Sequence, residues 1–310
     1  MKIYYSIDDF QRLNYAVVTS GTFDGVHLGH QTILNRLKET AEKNNGETVV
    51  ITFWPHPRLI LQPEDDSLKL LNTFEEKAEL LKEQGIHHLL RIPFTKEFSQ
   101  IPSQEFITSI LVDKIGTRKL VIGYDHRFGR NREGSFEELK INAPRYGFDV
   151  EEIPRQDVDH VGVSSSKIRK ALEEGDIATA SHFLGRPYSI SGSVVKGDKI
   201  GRELGYPTAN IDVDSHHKLI PNEGIYAVTA EYEHQHLQGM LYIGNRPTID
   251  GAKRSIEVNL FDFNKEIYGE RLKINLVSFL RGDIKFNGLE ALKVQLHKDK
   301  EQALQALHKN

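Results

Sequence analysis

The pattern of apolar residues changes once along the chain, and this change limits the possible folds more than any other feature. From the start to about Arg186, short β-rich runs alternate with amphipathic helical patterns. The strand patterns are YAVVTSG, ETVVITF, HHLLRIPF, KLVIGY and FDVEEIP, and the helical patterns are QTILNRLKETAEKN, TFEEKAELLKEQ and PSQEFITSILVDKI. This alternation predicts a parallel sheet flanked by helices, with a ligand crevice beyond the carboxyl ends of the strands.

The second half of the chain has the pattern of an all-β domain. From Ser189 to about Leu280, turns rich in Gly, Pro and Asn separate the short strands SISGSVV, GIYAVTAEY, LQGMLYIG, SIEVNLFDF and RLKINLVSFL. They predict an antiparallel barrel or sandwich. Apolar residues at helical spacing in the tail predict a C-terminal amphipathic helix; they are Leu289, Leu292, Leu296, Leu304 and Leu307.

The length of the chain and the position of this change indicate two domains. A chain of 310 residues is longer than most single hydrophobic cores support. The boundary falls near the segment GRPYSI, which predicts one domain over residues 1–186 and another over 187–310.

Composition excludes several classes of function. With 40 basic and 44 acidic residues the formal net charge is −4, and no long run of Lys and Arg is present, so we expect no nucleic-acid partner. The absence of cysteine excludes disulfides, thiolate metal sites and cysteine nucleophiles. The N-terminal segment does not resemble a signal peptide and no stretch is apolar enough to span a bilayer, which predicts a cytoplasmic protein without a membrane partner.

Two histidines, His27 and His30, lie where a predicted strand gives way to a helix, in the segment GTFDGVHLGHQTIL. The first-turn amides and the dipole of that helix favour an anion, and Gly25 and Gly29 let a phosphate approach the backbone. The two imidazoles can donate hydrogen bonds to a polyphosphate beside those amides. Capping or packing by the histidines remains an alternative. A zinc site is poorly supported because no third ligand lies nearby in the sequence.

A second candidate phosphate site is the segment SSSKIRKAL, residues 164–172. Its serines can cap a helix and offer hydroxyls to phosphate oxygens, and Lys167 and Arg169 bring cationic donors to the same end. Taken alone, the segment is more typical of an ordinary capped helix with a solvated basic turn. Together with the histidines it predicts a second clamp across a crevice.

The segment GDKIGRELGYPTANI, residues 197–211, spaces Gly197, Gly201 and Gly205 four residues apart. The chain has no Walker phosphate loop, so a kinase here must use other groups. Flexible glycine turns can fold over a nucleotide, and the side-chain oxygens of Thr208 and Asn210 are hard donors suited to magnesium. Taken alone, the segment reads as a structured β-turn.

One carboxylate lies within a predicted strand of the second half. Alternation along SIEVNLFDF places Glu257 on the face opposite to Ile256 and Val258. For a glutamate in an arbitrary strand, simple exposure to water is the more common situation.

Several motifs, taken together, resemble one family. The segments GTFDGVHLGH and SSSKIR resemble the nucleotidyltransferase superfamily, and FWPHPR, VIGYDHRFGR and ALEEGDIATASHFLGRPY resemble its flavin branch. The likeness continues through GDKIGRELGYPTANI, YIGNRPT and IEVNLFDFNKEIYGERL. Almost the whole chain is therefore similar to the bacterial bifunctional riboflavin kinases and FMN adenylyltransferases. The resemblance implies a Rossmann-like N-terminal nucleotidyltransferase domain and a C-terminal β-barrel kinase domain with a C-terminal helix.

The resemblance implies that the first half transfers an adenylyl group from ATP to FMN, giving FAD and pyrophosphate. His27, His30 and Arg169 would be catalytic, with the histidines on the ATP phosphates in the transition state. The other ATP-binding residues would be Gly21, Phe23, Gly25, Gly29, Ser164, Ser165 and Lys167. The candidates for binding flavin or its phosphate are Asp24, Tyr124, Asp125, Arg127 and Phe128. For Asp24, a turn or helix-cap role is an equal alternative.

The resemblance implies that the second half phosphorylates riboflavin to FMN with ATP. Glu257 would accept the proton of the riboflavin hydroxyl as it attacks the γ-phosphate. Thr208 and Asn210 would hold Mg²⁺ and the ATP phosphates beneath a loop containing Gly197, Gly201 and Gly205. We expect small-molecule partners only, and a monomer or a weak homo-oligomer.

This chain departs from the family pattern at three places. Ser165 and Ser166 stand where Ser-Thr is usual, Gly282 and Asp283 stand where an acidic residue commonly follows Arg, and Lys196 stands where a histidine is often found. Two alternatives stay open at this point. One is an adenylyltransferase for another phosphorylated metabolite; the other is a flavin-binding regulatory protein with inactive sites.

Overall fold

The computed structural model describes residues 1–124, 126–155, 162–197, 200–213, 215–233, 235–248 and 251–308; for residues 132, 200, 246–248 and 251–253 it describes the backbone alone. The chain divides into two compact units, Met1–Ser165 and Ser166–Asn310. The first contains a parallel sheet with helices and the second a closed antiparallel barrel, which confirms the predicted fold class. Among the described helices, none is long and apolar enough to cross a membrane.

The first unit is built on a six-stranded parallel sheet. Its strands are β1 (Lys2–Tyr4), β2 (Ala16–Ser20), β3 (Glu47–Trp54), β4 (His88–Pro93), β5 (Thr117–Gly123) and β6 (Asp149–Ile153). They pair in the order β1-β4-β3-β2-β5-β6. The helices are α1 (Leu28–Lys43), α2 (Pro57–Leu61), α3 (Phe74–Glu83), α4 (Ser103–Glu105), which continues as a π-helix (Phe106–Ile115), and α5 (Phe136–Tyr146).

Strand β2 is buried throughout because helices cover both faces of the sheet. Ala16 and Val18 face one apolar cluster, which includes the π-helix and α5, whereas Val17 faces another, which includes α1 and α3. Successive side chains of a strand point to opposite faces, so a strand between two helical layers is apolar at nearly every position. This explains why AVVTS lacks the alternation of an exposed strand.

The helix predicted from PSQEFITSILVDKI differs in type from the expectation. It starts as a short α-helix and then runs as a π-helix to Ile115, where Gly116 ends it with a positive φ of 78°. The apolar spacing predicts helical structure there, but it does not distinguish a 3.6-residue period from the wider π turn over so few residues.

The second unit is a barrel with helices packed outside it. Its strands are β7 (Tyr188–Val195), β8 (Ala209–Asp212), β9 (Gly224–Tyr232), β10 (Gln235–Thr248), β11 (Gly251–Leu260) and β12 (Arg271–Arg281), closed in the order β10-β11-β8-β7-β12-β9. Its helices are α6 (Ser165–Glu173), which begins at the last residue of the first unit, α7 (Ile177–Leu184), α8 (Ile200–Glu203) and α9 (Leu289–His308). All barrel pairings are antiparallel.

Helix α9 closes one side of the barrel and is held there by a buried ion pair. It packs on β9, β10 and β12, with Ala303 inside the apolar contact. The fully buried carboxylate of Asp299 accepts two hydrogen bonds from the Arg281 guanidinium, at 2.8 and 2.7 Å, and a third from Gln295 at 2.9 Å. Leu289, which the periodicity places on the apolar face, lies at the exposed start of the helix.

Helix α7 and all of α6 except its first residue belong to the same compact unit as the barrel. Helix α7 contacts β7 and β12, and the backbone N–H of Asn222 donates to the carbonyl of Leu172 in α6 at 3.0 Å. Along the chain, the division between the two compact units falls at residues 165 and 166, upstream of residue 186, where the sequence pattern changes.

Candidate active sites

The first candidate site is a cleft at the carboxyl ends of β2 and β5. Strand β2 pairs with β3 on one side and with β5 on the other, so the strand order reverses there. In open parallel sheets this reversal leaves a crevice that binds ligands. The cleft has a volume of about 920 Å³, which is enough for a nucleotide-sized ligand.

The loop between β2 and α1 is held in an uncommon backbone conformation. Phe23 and Val26 have φ angles of 47° and 39°, and Gly25 lies between them at 90°. Positive φ is costly for a β-branched residue such as valine, so the surrounding structure must hold this loop. Both side chains are buried. A side chain at Gly21 would also approach the Phe23 ring to 3.2 Å.

Asp24 anchors this loop from below. Its carboxylate is 2% exposed and accepts hydrogen bonds from the backbone N–H groups of Leu71, at 2.9 Å, and Asn72, at 3.3 Å. Asp24 thus has a structural role of the kind that the turn alternative describes, because its carboxylate joins the loop to a distant segment. The cleft is not lined by Asp24.

The two histidines form one stacked pair at the start of α1. His27 is the N-cap, and its Nδ1 accepts a hydrogen bond from the backbone N–H of His30 at 3.3 Å. Because that nitrogen is an acceptor, a neutral His27 carries its proton on Nε2. The ring centroids are 3.7 Å apart with 15° between the planes. Capping and phosphate binding are therefore compatible, since Nε2 of His27 remains a donor and His30 lines the cleft.

The serine segment reaches the same loop. The hydroxyl of Ser165 donates to the backbone carbonyl of Asp24 at 2.9 Å, so it ties the start of α6 to the histidine-bearing loop. Ser164 precedes that helix, and Lys167 and Arg169 lie within it. Gly29 is buried inside α1.

Only some of the residues predicted to bind flavin line the cleft. Arg127 and Phe128 line the cleft, and Phe128 is buried. Tyr124 is 38% exposed and is not among the residues that line the cleft; the guanidinium of Arg155 lies 5.7 Å from the centroid of its ring. Asp125 lies outside the described residues.

An aromatic wall, defined here as Phe53, Phe94, Phe98, Phe106 and Phe128, forms one side of the cleft. Consecutive ring centroids along it are 5.7 to 6.5 Å apart. Such a wall suits a flat aromatic ligand. Sequence reasoning missed this wall because its members come from four separate segments, and only the chain fold brings them together.

Sequence reasoning also missed a polar pair on the floor of the cleft. The hydroxyl of Ser20, the last residue of β2, lies 2.8 Å from Nε2 of His126, which follows β5. Both side chains line the cleft. A histidine inside VIGYDHRFGR was visible in the sequence, but its partner lies 106 residues away.

A buried lysine lies behind the first site. Lys77 of α3 is 2% exposed, and its ammonium lies 5.2 Å from the centroid of the Trp54 ring. Burial lowers the pKa of Lys77 to about 8, although the charge of Asp24 acts in the opposite direction.

The second candidate site lies on the barrel around Glu257. In the register of β8, β11 and β10, Glu257 is directly opposite Asn210 on one side and Tyr242 on the other. Its carboxylate accepts hydrogen bonds from Thr208, at 3.2 Å, and Ser255, at 2.9 Å. Glu257 is half-buried, so it does not simply face water. The barrel therefore brings together the three residues that the sequence proposed for this site.

The glycines of residues 197–205 have distinct reasons to be glycine. A Cβ on Gly197 would lie 2.1 Å from the side-chain nitrogen of Asn210, so the loop packs directly on that amide. A Cβ on Gly201 would lie 2.4 Å from the carbonyl oxygen of Tyr206, and Gly205 has a φ of 83°. Only glycine combines such close approach and such a backbone angle without strain.

Tyr242 extends this site on the other side of Glu257. Its hydroxyl donates to Asp283 at 3.3 Å. Burial, followed by the charge of Asp283, raises the pKa of Tyr242 to about 12, so the phenol stays protonated at neutral pH. Asp283 belongs to the segment that departs from the family pattern, and in this chain its carboxylate accepts the hydrogen bond from Tyr242.

Within the described ranges, no group of three or more His, Asp or Glu residues is arranged to hold a metal ion. The side-chain oxygens around Glu257 are nevertheless hard donors from Thr208, Asn210 and the carboxylate itself, which is the chemistry that magnesium prefers.

Two family models divide the chain in the same order as the two sites. The FAD synthetase model matches residues 9–167, and the riboflavin kinase model matches residues 184–307. These matches define a protein of two nucleotide-dependent transferase domains, one for each candidate site.

Curated relatives carry both names at once. Proteins named bifunctional riboflavin kinase/FMN adenylyltransferase are 38% identical in Listeria monocytogenes, over 95% of this chain and 93% of that protein, and 39% identical in Buchnera aphidicola, over 96% of each. The one from Escherichia coli K12 is 36% identical over 91% of this chain and 90% of its own length. The chain belongs to the bifunctional riboflavin kinase/FMN adenylyltransferase family.

One solved structure shares the whole architecture. It is a crystal structure described as a macrolide-efflux protein from Streptococcus pneumoniae, 31% identical, with a TM-score of 0.87 over 97% of both chains.

Proposed function

We propose that this chain makes FAD in two steps: the second unit phosphorylates riboflavin with ATP to FMN, and the first transfers an adenylyl group from a second ATP to FMN, releasing pyrophosphate. The observation that carries the proposal is that each unit has its own set of reactive side chains within the range of its own family model. These sets are the stacked histidines in the first unit and Glu257 with its neighbours in the second.

In the first site, the start of α1 receives the ATP phosphates. The first-turn amides and the helix dipole favour the anion. His27 and His30 then stabilise charge that develops as the FMN phosphate attacks the α-phosphorus. Ser164, Lys167 and Arg169 supply the further phosphate contacts.

On the flavin side of the first site, the aromatic wall takes the flavin ring, with Arg127 and Phe128 at its edge. We assign Asp24 to this site through the loop that it anchors. Tyr124 and Asp125 remain proposed members of the flavin site on the strength of the family resemblance.

In the second site, Glu257 accepts the proton of the riboflavin hydroxyl as its oxygen attacks the γ-phosphate. Ser255 and Thr208 orient the carboxylate through their hydrogen bonds. Thr208 and Asn210 would hold Mg²⁺, which supplies charge neutralisation of the ATP phosphates when bound. The loop of Gly197, Gly201 and Gly205 covers the nucleotide.

The test is incubation of the purified protein with riboflavin, ATP and magnesium, with FMN, FAD and pyrophosphate followed by chromatography and a coupled assay. We expect FMN to form first and FAD to follow. An adenylyltransferase for another metabolite would leave riboflavin unphosphorylated, and a regulatory protein with inactive sites would release neither ADP nor pyrophosphate. ATP and flavins are small soluble substrates, so we propose that the enzyme acts in the cytoplasm, as a monomer or weak homo-oligomer.

We propose further that the functional domains are residues 1–186 and 187–310. Helix α7 packs on the barrel and α6 is hydrogen-bonded to Asn222 just before β9, so two fragments test how much of the chain the kinase needs. We expect a fragment of residues 187–310 to phosphorylate riboflavin unaided, and a fragment of residues 166–310 to unfold at a higher temperature because it keeps these helices. Loss of riboflavin phosphorylation in the shorter fragment alone would move the boundary upstream of α6.

A further inference from the structure

Ser20 and His126 meet across the crevice where the strand order of the sheet reverses. Ser20 ends β2, and His126 follows β5 after a short turn in which its backbone N–H donates to the carbonyl of Gly123 at 3.1 Å. The turn directs the imidazole toward β2, where Nε2 lies 2.8 Å from the Ser20 hydroxyl. Ser20 is 5% exposed and His126 is half-buried, and both line the cleft.

The chemistry of this pair suits an anion. A negative ligand nearby favours the imidazolium form of a histidine. In that form Nε2 of His126 donates to the Ser20 oxygen, which leaves the serine hydroxyl proton to donate into the cleft. The pair then offers a positive charge and a directed donor at one place.

The histidine of the pair lies on the side of the cleft that carries the aromatic wall. The stacked histidines lie at the start of α1, after β2, whereas His126 follows β5. The His126 ring is 5.8 Å from that of Phe128, which ends the aromatic wall. The pair therefore lies beside the wall that we propose for the flavin ring.

We propose that Ser20 and His126 bind the phosphate group of FMN in the first site and so position it for attack on ATP. This inference rests on the adenylyl transfer proposed above. His126 acts as a positioning residue: it contacts the attacking phosphate through the serine hydroxyl and by its charge, and no bond to it forms or breaks.

The test measures KM and kcat for FAD formation, with FMN and ATP varied separately, in His126→Phe, His126→Gln and Ser20→Ala. We expect His126→Phe to raise the KM for FMN about tenfold or more, the scale of a lost hydrogen bond to a charged group, and to leave the KM for ATP within about twofold. His126→Gln keeps a side-chain amide that can bond to Ser20 but lacks the positive charge, so it should recover only part of the affinity for FMN. Riboflavin phosphorylation by the same variants is the internal control.

Several outcomes would overturn this inference. They are an unchanged KM for FMN, a rise in the KM for ATP in its place, and equal defects in His126→Phe and His126→Gln. If His126→Phe is insoluble, the KM for FMN of Ser20→Ala is the test. An unchanged KM for FMN in that variant overturns the inference. A wild-type protein that makes no FAD from FMN and ATP would instead refute the proposed function itself.

Discussion

The two candidate sites differ in what holds their reactive side chains. In the first unit the histidines follow a loop whose backbone is strained at Phe23 and Val26, and hydrogen bonds to distant segments hold that loop. In the second unit the reactive residues lie on paired strands, where Asn210, Glu257 and Tyr242 are neighbours in register.

This difference predicts different sensitivities to substitution. A loop site depends on its anchors, because a conformation with positive φ persists only where the surroundings hold it. A strand site depends on register, which ladder hydrogen bonds over the whole barrel specify. In the second site, a substitution should therefore change reactivity without disturbing the backbone. In the first site, a substitution must keep the capping hydrogen bond if it is to test catalysis alone.

The largest effect is expected from Glu257→Gln, which tests the strand site. The variant keeps the size of the side chain and loses its basicity, so FMN formation should fall by about a hundredfold or more, the range for loss of a general base. FAD formation from added FMN should be unchanged. Glu231→Gln, on an exposed position of β9, is the matched control and should retain full activity. Weaker riboflavin binding with normal turnover would make Glu257 a positioning residue.

The corresponding test of the loop site is the double variant His27→Asn with His30→Gln. Asparagine is a favourable N-cap, so it preserves the acceptor that His27 offers to the backbone of residue 30. We expect FAD formation to fall by at least about a hundredfold through loss of the two imidazoles, with FMN formation unaffected. Near-normal FAD synthesis would show that the pair serves only to cap α1.

A smaller effect should follow from Gly197→Ala in the loop of the second site. The new Cβ would overlap the amide of Asn210, whose displacement should lower FMN formation about tenfold, since misplaced groups lose much of their catalytic effect. Gly282→Ala is the matched control, because nothing lies within 4 Å of a Cβ there. Equal activity of the two variants would show that the loop tolerates movement of Asn210.

The sequence was sufficient for the elements with strong periodicity. The predicted strand GIYAVTAEY coincides with β9, because its alternation and flanking turns leave little choice. Short or weakly patterned elements were missed: β1 has three residues, β8 has four, and α5 contains Pro144. In such segments tertiary packing determines the structure, and a single sequence does not encode that packing locally.

The candidate sites were predictable only where chemistry is concentrated in one segment. The spacing of His27 and His30 within one turn implied their proximity. The Ser20–His126 pair was not predictable, because Ser20 ends one strand, His126 follows another, and only the sheet order brings them together. Asp24 shows the converse: its motif left a ligand contact and a turn or cap role equally open, and the structure shows its carboxylate anchoring a loop.

The smallest effect on turnover is expected from a substitution of Lys77. Its main effect should be on the stability of the first unit. The ordinary pKa of lysine is 10.5, and burial lowers that of Lys77 to about 8 in the folded chain. Below pH 8, Lys77 is protonated in both the folded and the unfolded chain. The lowered pKa then corresponds to a cost of about 3 kcal/mol for burying the charge in the folded chain. Between pH 8 and 10.5 the unfolded chain still binds a proton that the folded chain has released, so the free energy of unfolding rises with pH.

Lys77→Met removes this charge from the core. We expect the free energy of unfolding to increase by up to about 3 kcal/mol at pH 7, and the gain to shrink toward zero as pH rises from 8 to 10.5. Urea titrations report it through Trp54, the only tryptophan of the chain, because that ring lies beside Lys77. Lys82→Met, an exposed position of the same helix, is the matched control and should change stability little. A gain of equal size at pH 7 and pH 10 would contradict this account, because a gain that does not change with pH does not come from the proton of Lys77.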